Sequence, residues 1–325
     1  MKFLMINEEN MKDKIFVDEL AQHINQEIIS YFLVTEKELR RGANNLFIRL
    51  KLSDKTGDIR GNIWNNAKHI DRKFEKGDFV KIKGVVISYK SQTQLTVNKI
   101  KSIAPENLDI TQFIESTSKD LNELADKLFE YIENMKNQYL RNLLKIIFDD
   151  KEFFNAFMEA PAAKNWHHNY VGGLLEHTIA VATICEFAAM QYKVDKDLLI
   201  SGALLHDIGK VHEYSLKPII EFTPVGRLVG HIPIADHFVS DKAKEINKFP
   251  PKLLMKLRHL ILSHHGEYEY ASARLPQTIE AIVLHYADNL DAQTVGVQQM
   301  IDQVQTNDAE WTEFDKLNNL YYYIK

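Results

Sequence analysis

The chain has 325 residues, 45% hydrophobic and 26% charged, a balance that excludes disorder as the default state and allows two domains with real cores. Its single cysteine, Cys185, excludes an internal disulfide and fits a reducing compartment; its place in the apolar pattern "HTIAVATICEFAAM" reads as core filler. The formal net charge of −5 is uneven: residues 31–103 hold 16 Lys or Arg against 7 Asp or Glu, a balance of +9 that leaves −14 elsewhere.

At the N-terminus, "MKFLMINEENMKDK" turns acidic before a signal-peptide core forms. No apolar run is expected to approach the roughly 20 residues of a membrane span, so a cytoplasmic protein without a membrane partner is expected. From about residue 30 to 103, "NLFIRLKLSD", "DIRGNIW", "DFVKIKGVVISY" and "QLTVNKIKSI" alternate apolar and polar residues with period two, between the turn signals "KTGD" and "EKGD". This predicts an all-β unit of about five short strands.

Within it, Leu46, Ile48, Leu50 and Leu52 share one side of a strand, and Phe47, Arg49 and Lys51 share the other. In "DIRGNIW" the inward set is Ile59, Gly61 and Ile63, which leaves Arg60, Asn62 and Trp64 outside. If the two strands form a hairpin, one outer surface carries Phe47, Trp64, Arg49, Lys51 and Arg60. Flat π-faces among cations suit single-stranded nucleic acid, whose bases stack on aromatics while its backbone needs positive charge. The unit resembles an oligonucleotide-binding (OB) fold, in which the exterior of strands two and three is the usual ligand surface. The alternative is that Trp64 or Phe47 packs against the linker or the next domain.

The stretch "PENLDITQFIESTSK" breaks the pattern, and helical spacing follows to about residue 290. The predicted organisation is an N-terminal segment (1–30), a β-barrel (31–103), a linker (104–119) and a helical domain (120–325). A predicted helix reads "DLLISGALLHDIG", with Leu199, Ala203 and His206 on one stripe and Asp207 four after Ala203. An unpaired carboxylate on such a face costs several kcal/mol, so buried charges are paired or bound to metal. His177 shares a face with Leu174, Val181 and Ile184; His264 aligns with Leu257, Leu260 and Ile261; Asp288 follows Ala281 and Leu284. One such histidine is ordinarily a satisfied core residue. The whole set points to a metal centre.

This ordered pattern resembles the HD-domain superfamily of metal-dependent phosphohydrolases, on His177, His206, Asp207, His231, His264, His265 and Asp288. The stretches "PAAKNWHHNYVGGLLEHT", "LVGHI", "ILSHHGEYEYASARLP" and "EAIVLHYADNLDA", behind an OB-like unit, resemble the YhaM-type family of bacterial 3′-to-5′ exoribonucleases. The resemblance runs from about residue 25 to the C-terminus. It implies a five-stranded OB-like barrel followed by an all-α HD helical bundle. It further implies one divalent ion on His177, His206, Asp207 and Asp288, a second on His231 with His264 or His265, and Asp207 as the bridge. Imidazole and carboxylate ligands suit Mn²⁺, Fe²⁺, Co²⁺, Ni²⁺ or Zn²⁺, and the resemblance favours Mn²⁺. Two such ions activate a shared water for in-line attack on a phosphodiester.

Lys210, four after His206, is assigned charge stabilisation, with a cation at a helix C-terminus as the alternative. His167 and His168 are candidate phosphate or leaving-group contacts or structural residues, and Arg274 and Tyr270 are candidate nucleotide contacts. His285 is expected to support a ligand or fill the core; His212 lies outside the matched order. The expected substrate is single-stranded RNA, with single-stranded DNA a further candidate and nucleoside 5′-monophosphates as products; a homo-oligomer is a candidate assembly. One rival is a hydrolase of small nucleotides, although the sequence after "HHG" lacks the Gly-Tyr-Pro element of the cyclic-dinucleotide subgroup. Another is a replication-linked nucleic-acid-binding factor with a vestigial centre, against which every matched ligand is present.

Overall fold

The computed structural model describes residues 14–325 apart from 43–44, 91, 106–107, 110–111, 165, 216–218, 303 and 305–308. The first 13 residues of the predicted N-terminal segment and parts of the predicted linker therefore lie outside the described residues. The chain divides into two compact units that meet in sequence between Ser116 and Thr117, with Ile219 grouped with the first.

In the first unit, period-two alternation produces β1 (Glu27–Arg41), β2 (Leu46–Asp54) and β3 (Gly57–Ile63), then a short helix α1 (Ala67–Ile70), β4 (Phe79–Tyr89) and β5 (Gln92–Ile103). The strands close into a barrel in the order β1-β2-β3-β5-β4, with β4 paired back onto β1. Only the β3–β5 pairing is parallel, and the crossover it demands is supplied by α1 and β4. The barrel is filled by Ile48, Leu50 and Leu52 of β2 and Ile59 and Ile63 of β3, packed with Phe32, Val80, Ile82 and Leu95. Leu20, on a turn ahead of β1, is fully buried in the same core. Leu46 departs from the expected inward set. It pairs with Arg41 at the far end of the β1–β2 hairpin, where no barrel interior remains, and is 38% exposed.

The second unit opens with α2 (Leu121–Glu133), α3 (Gln138–Phe148) and α4 (Lys151–Glu159). Next come α5 (Gly173–Gln191), α6 (Lys196–Leu205) and the one-turn α7 (Lys210–Glu213). The strand pair β6 (Tyr214–Ser215) and β7 (Glu221–Phe222) interrupts the otherwise helical unit before α8 (Pro224–Val229). The last three helices are α9 (His231–Lys244), α10 (Pro251–Ser263) and α11 (Ile279–Asp302). Side chains of Asp120, Asn137, Asp150 and Asp195 accept first-turn N–H groups and start α2, α3, α4 and α6.

By length and composition α5 is apolar enough to cross a membrane, contrary to the expectation that no such run exists. A helix apolar on all sides is either a membrane span or the centre of a core. Here Leu174, Leu175, Val181, Ala182 and Cys185 of α5 are buried in the core of the unit, and α5 packs on α6 and α11. It also carries three buried polar residues, Glu176, His177 and Thr178.

Candidate functional site

The helix expected through "GALLHDIGK" stops short. α6 ends at Leu205, and the hydrogen bonds beyond it reach back three residues: Ile208 N–H to Leu205 O (3.3 Å), Lys210 N–H to Asp207 O (2.9 Å) and Val211 N–H to Ile208 O (3.4 Å). Winding at three residues per turn eclipses side chains i and i+3. Lys210 Nζ thus lies 2.6 Å from Asp207 Oδ2, and Lys210 opens α7 instead of closing a longer helix. Gly209 lets α9 approach this turn, since a Cβ there would lie 2.1 Å from His231 O.

Five imidazoles converge on the turn from α5, α6, α9 and α10. In each, Nδ1 is held from behind: His177 by Asp291 Oδ2 (2.7 Å), His206 by Ala203 O (2.8 Å), and His231 by Glu213 Oε1 (3.1 Å). His264 is held by Ile261 O (2.8 Å) and His265 by Tyr270 O (2.5 Å). Holding one ring nitrogen fixes tautomer and ring direction and leaves Nε2 for a ligand. Asp207 stands between two sets of these atoms. Its Oδ2 is 3.5 Å from His177 Nε2 and 3.3 Å from His206 Nε2; its Oδ1 is 3.4 Å from His231 Nε2 and 3.5 Å from His264 Nε2. Asp288 Oδ1, from α11, is 3.2 Å from His177 Nε2 and 3.9 Å from His206 Nε2.

The electrostatics of this centre are those of an incomplete charge balance. Burial opposes ionisation of Asp207, yet Lys210 and the neighbouring histidines outweigh it and hold the carboxyl well below its usual range. Burial is likewise outweighed at Asp288, by His177 and His206, and at Asp291, by His168 and His177, so both stay ionised. For His177 burial disfavours the cation, but hydrogen bonds with Asp207, Asp288 and Asp291 raise its pKa well above normal. Burial lowers His264, and burial with the nearby His264 and His231 pushes His265 down to about 3, so these rings keep their lone pairs.

Asp207 Oδ1, His231 Nε2 and His264 Nε2 are buried and lack any hydrogen-bond partner among the described residues. Buried polar atoms are almost always satisfied, so three orphans facing one another fit a divalent ion as their shared partner. The Asp207–His231–His264–His265 group and the His177–His206–Asp288 group each bring ligand atoms within 4.8 Å of one another. A third such group, His168–His177–Asp291, is hydrogen-bonded throughout and reads as support for His177.

Other expected residues fall in different places. His168 is buried, with Nδ1 on Tyr170 OH (2.8 Å) and Nε2 on Asp291 (2.9 Å), so it sits behind the centre and offers nothing to a phosphate. His167, by contrast, lines a cavity of about 360 Å³ together with Lys210, His265, Tyr270, His285 and Asp288. Arg274 is exposed and is not among the residues lining that cavity. His285 donates to His264 O through Nδ1 (2.8 Å), and His212 packs on Phe153 and Phe238. Two supporting carboxylates, Asp291 and Glu213, were not foreseen. Asp291 lies one helical turn beyond Asp288, a spacing that could have flagged it.

On the barrel, Phe47 and Trp64 stack with ring centroids 4.8 Å apart, and Trp64 is 49% exposed. Register pairs Lys51 with Arg60 and Arg49 with Asn62 on the same outer face. The face is less basic than parity alone suggests: Lys51 is paired with Asp58 at 2.6 Å, and Glu36 and Glu38 line the cleft beside Arg49 and Arg60.

Comparison with known proteins matches residues 174–293 to the HD domain and residues 33–103 to an OB-fold nucleic acid binding domain. A 3′-5′ exoribonuclease YhaM from Bacillus subtilis (strain 168) is 32% identical over 306 residues, covering 93% of this chain and 96% of that protein. The protein of the same description from Bacillus velezensis is 31% identical with the same coverage. Among solved structures, the second OB-fold domain of replication protein A from Methanococcus maripaludis matches a quarter of the chain (27% identity, 86% of that domain, TM-score 0.21). With both domain matches in order and a relative aligned over almost its whole length, this chain belongs to the YhaM family of 3′-5′ exoribonucleases.

Proposed function

We propose that the protein is a metal-dependent 3′-to-5′ exonuclease that shortens single-stranded RNA, and secondarily single-stranded DNA, releasing nucleoside 5′-monophosphates. The observation that carries this reading is the position of Asp207, each of whose oxygens faces a separate pair of imidazoles, one pair with its Nε2 atoms orphaned. His177, His206, Asp207 and Asp288 would hold one ion and His231 with His264 and His265 a second, Asp207 joining the two. Mn²⁺ is the proposed working ion, since mixed imidazole and carboxylate ligands suit it and the set contains no thiolate.

When bound, such a pair activates a water and offsets charge on the oxygens at phosphorus. The chain's own part is to hold the ligand atoms in place. Asp291 and Glu213 fix His177 and His231, Lys210 meets the phosphate from the cavity side, and the neutral His264 and His265 keep their lone pairs available. The barrel (31–103) is the proposed capture domain, with Phe47 and Trp64 stacking bases and Arg49, Lys51 and Arg60 meeting the backbone. A cytoplasmic location and a homo-oligomeric state complete the proposal. The test is a 5′-labelled oligoribonucleotide assayed beside free nucleotides. A ladder of shortening products supports the reading, and turnover of free nucleotides without a ladder favours the small-nucleotide hydrolase instead.

A further inference from the structure

Beside the centre, the cavity of about 360 Å³ has a chemically mixed lining. Lys210, Asp288, His265 and His167 line it together with Asn289, Gln293, Tyr270 and the turn Leu317–Asn318. Among the described residues, Lys210 and Asp288 are its only lysine, arginine or carboxylate side chains, so the rest of the lining presents aromatic, imidazole, apolar and amide groups. A phosphodiester held at Lys210 and the metal centre would extend one of its nucleotides into this space. A second or third phosphate would meet no further lysine or arginine there, whereas a neutral, flat, hydrogen-bonding group would meet a suitable wall.

The amide part of this lining is built, not incidental. Asn318 Nδ2 lies within hydrogen-bond reach of Gln293 Oε1 (3.0 Å), Asp315 Oδ2 (2.8 Å) and Tyr322 OH (3.0 Å), and its two N–H groups tie the C-terminal turn to α11, with Gln293 accepting through Oε1 so that its Nε2 is turned to other partners. Trp166, which also lines the cavity, is seated on Gly296 of α11, where a Cβ would lie 2.4 Å from the indole. The next residue, His167, has both ring nitrogens buried without a partner among the described residues. Unsatisfied donors and acceptors lining a cavity mark a place where a ligand supplies the missing bonds.

We infer that this cavity is the subsite for the terminal nucleoside of the strand, with His167 and the Gln293–Asn318 pair meeting its polar edges and Tyr270 and Trp166 enclosing its flat faces. The inference rests on the exonuclease reading and adds that part of the specificity wall comes from outside the HD match at 174–293, from residues 166–167 before it and 317–318 after it. The C-terminal turn is thereby part of the substrate site.

Two measurements on the full-length, metal-loaded protein test this. Photolabelling of the wild type with 8-azidoadenosine 5′-monophosphate is expected to mark the peptides carrying Trp166–His167 or Leu317–Asn318, in competition with adenosine 5′-monophosphate. Gln293→Ala with Asn318→Ala is expected to raise KM for an oligoribonucleotide and the inhibition constant of adenosine 5′-monophosphate together, by about tenfold for the loss of one good hydrogen bond, with wild-type metal content. A label confined to other peptides, or unchanged KM and inhibition constant, overturns the subsite. RNA left intact by the wild type would instead sink the exonuclease reading, whatever the labelling shows.

Discussion

Asp207 is the residue on which the chemistry depends, because removing it takes one oxygen from each imidazole set at once. Asp207→Ala is expected to abolish RNA shortening while leaving RNA affinity within a few-fold, measured by a gel ladder and by equilibrium binding. Asp291 acts one step behind, through His177 Nδ1. Asp291→Asn is expected to weaken metal binding about 10–100-fold by calorimetry, the usual effect of losing a partner that orients a ligand. pH enters through the same contact. Because the metal-free His177 has a raised pKa, it is protonated near neutrality and must lose that proton to serve as a ligand. Metal affinity is therefore expected to rise with pH, with proton uptake by buffers of different ionisation enthalpy as the readout.

At the scale of elements, the turn after α6 and the start of α9 are held together by the absence of one side chain. Gly209→Ala would place a methyl group against His231 O, destabilising the unit by on the order of 1–3 kcal/mol and displacing His231. Thermal melting and metal content should fall together. α5 gives an independent check on packing. Burial, assisted by Asp288, pushes the Cys185 thiol up to about 12. A raised folded-state pKa means stability that is intact below the unfolded value of 9.0 and is lost as pH climbs from there toward 12. Iodoacetamide at pH 8.5 should label Cys185 only after unfolding.

These elements also show what the sequence made legible. Period two identified β2 and β3 and their inward residues, because a closed barrel buries alternate positions; it failed at Leu46, where the hairpin outruns the barrel. Apolar stripes carrying His177, His264 and Asp288 exposed the ligand set, because polar groups on such faces need a reason to be there. They did not show that His206 and Asp207 occupy a tight turn, since helical spacing and three-residue winding look alike over four residues. Nor could they show Asp291 behind His177, a contact between residues 114 apart in the chain.

For the whole molecule, capture and cleavage are assigned to separate units, and that division has a measurable signature. Trp64→Ala with Arg60→Ala should weaken binding of long RNA and flatten its salt dependence by about one unit of slope, while hydrolysis of a dinucleotide stays near wild type. The central claim is that separated histidines and aspartates of the helical unit converge because they share divalent ions. Anomalous diffraction at the manganese edge, from crystals of the full-length protein grown with Mn²⁺, tests it most directly. Two peaks flanking Asp207, one near His177, His206 and Asp288 and one near His231 and His264, are expected; ordered side chains with no anomalous density among them would contradict the account.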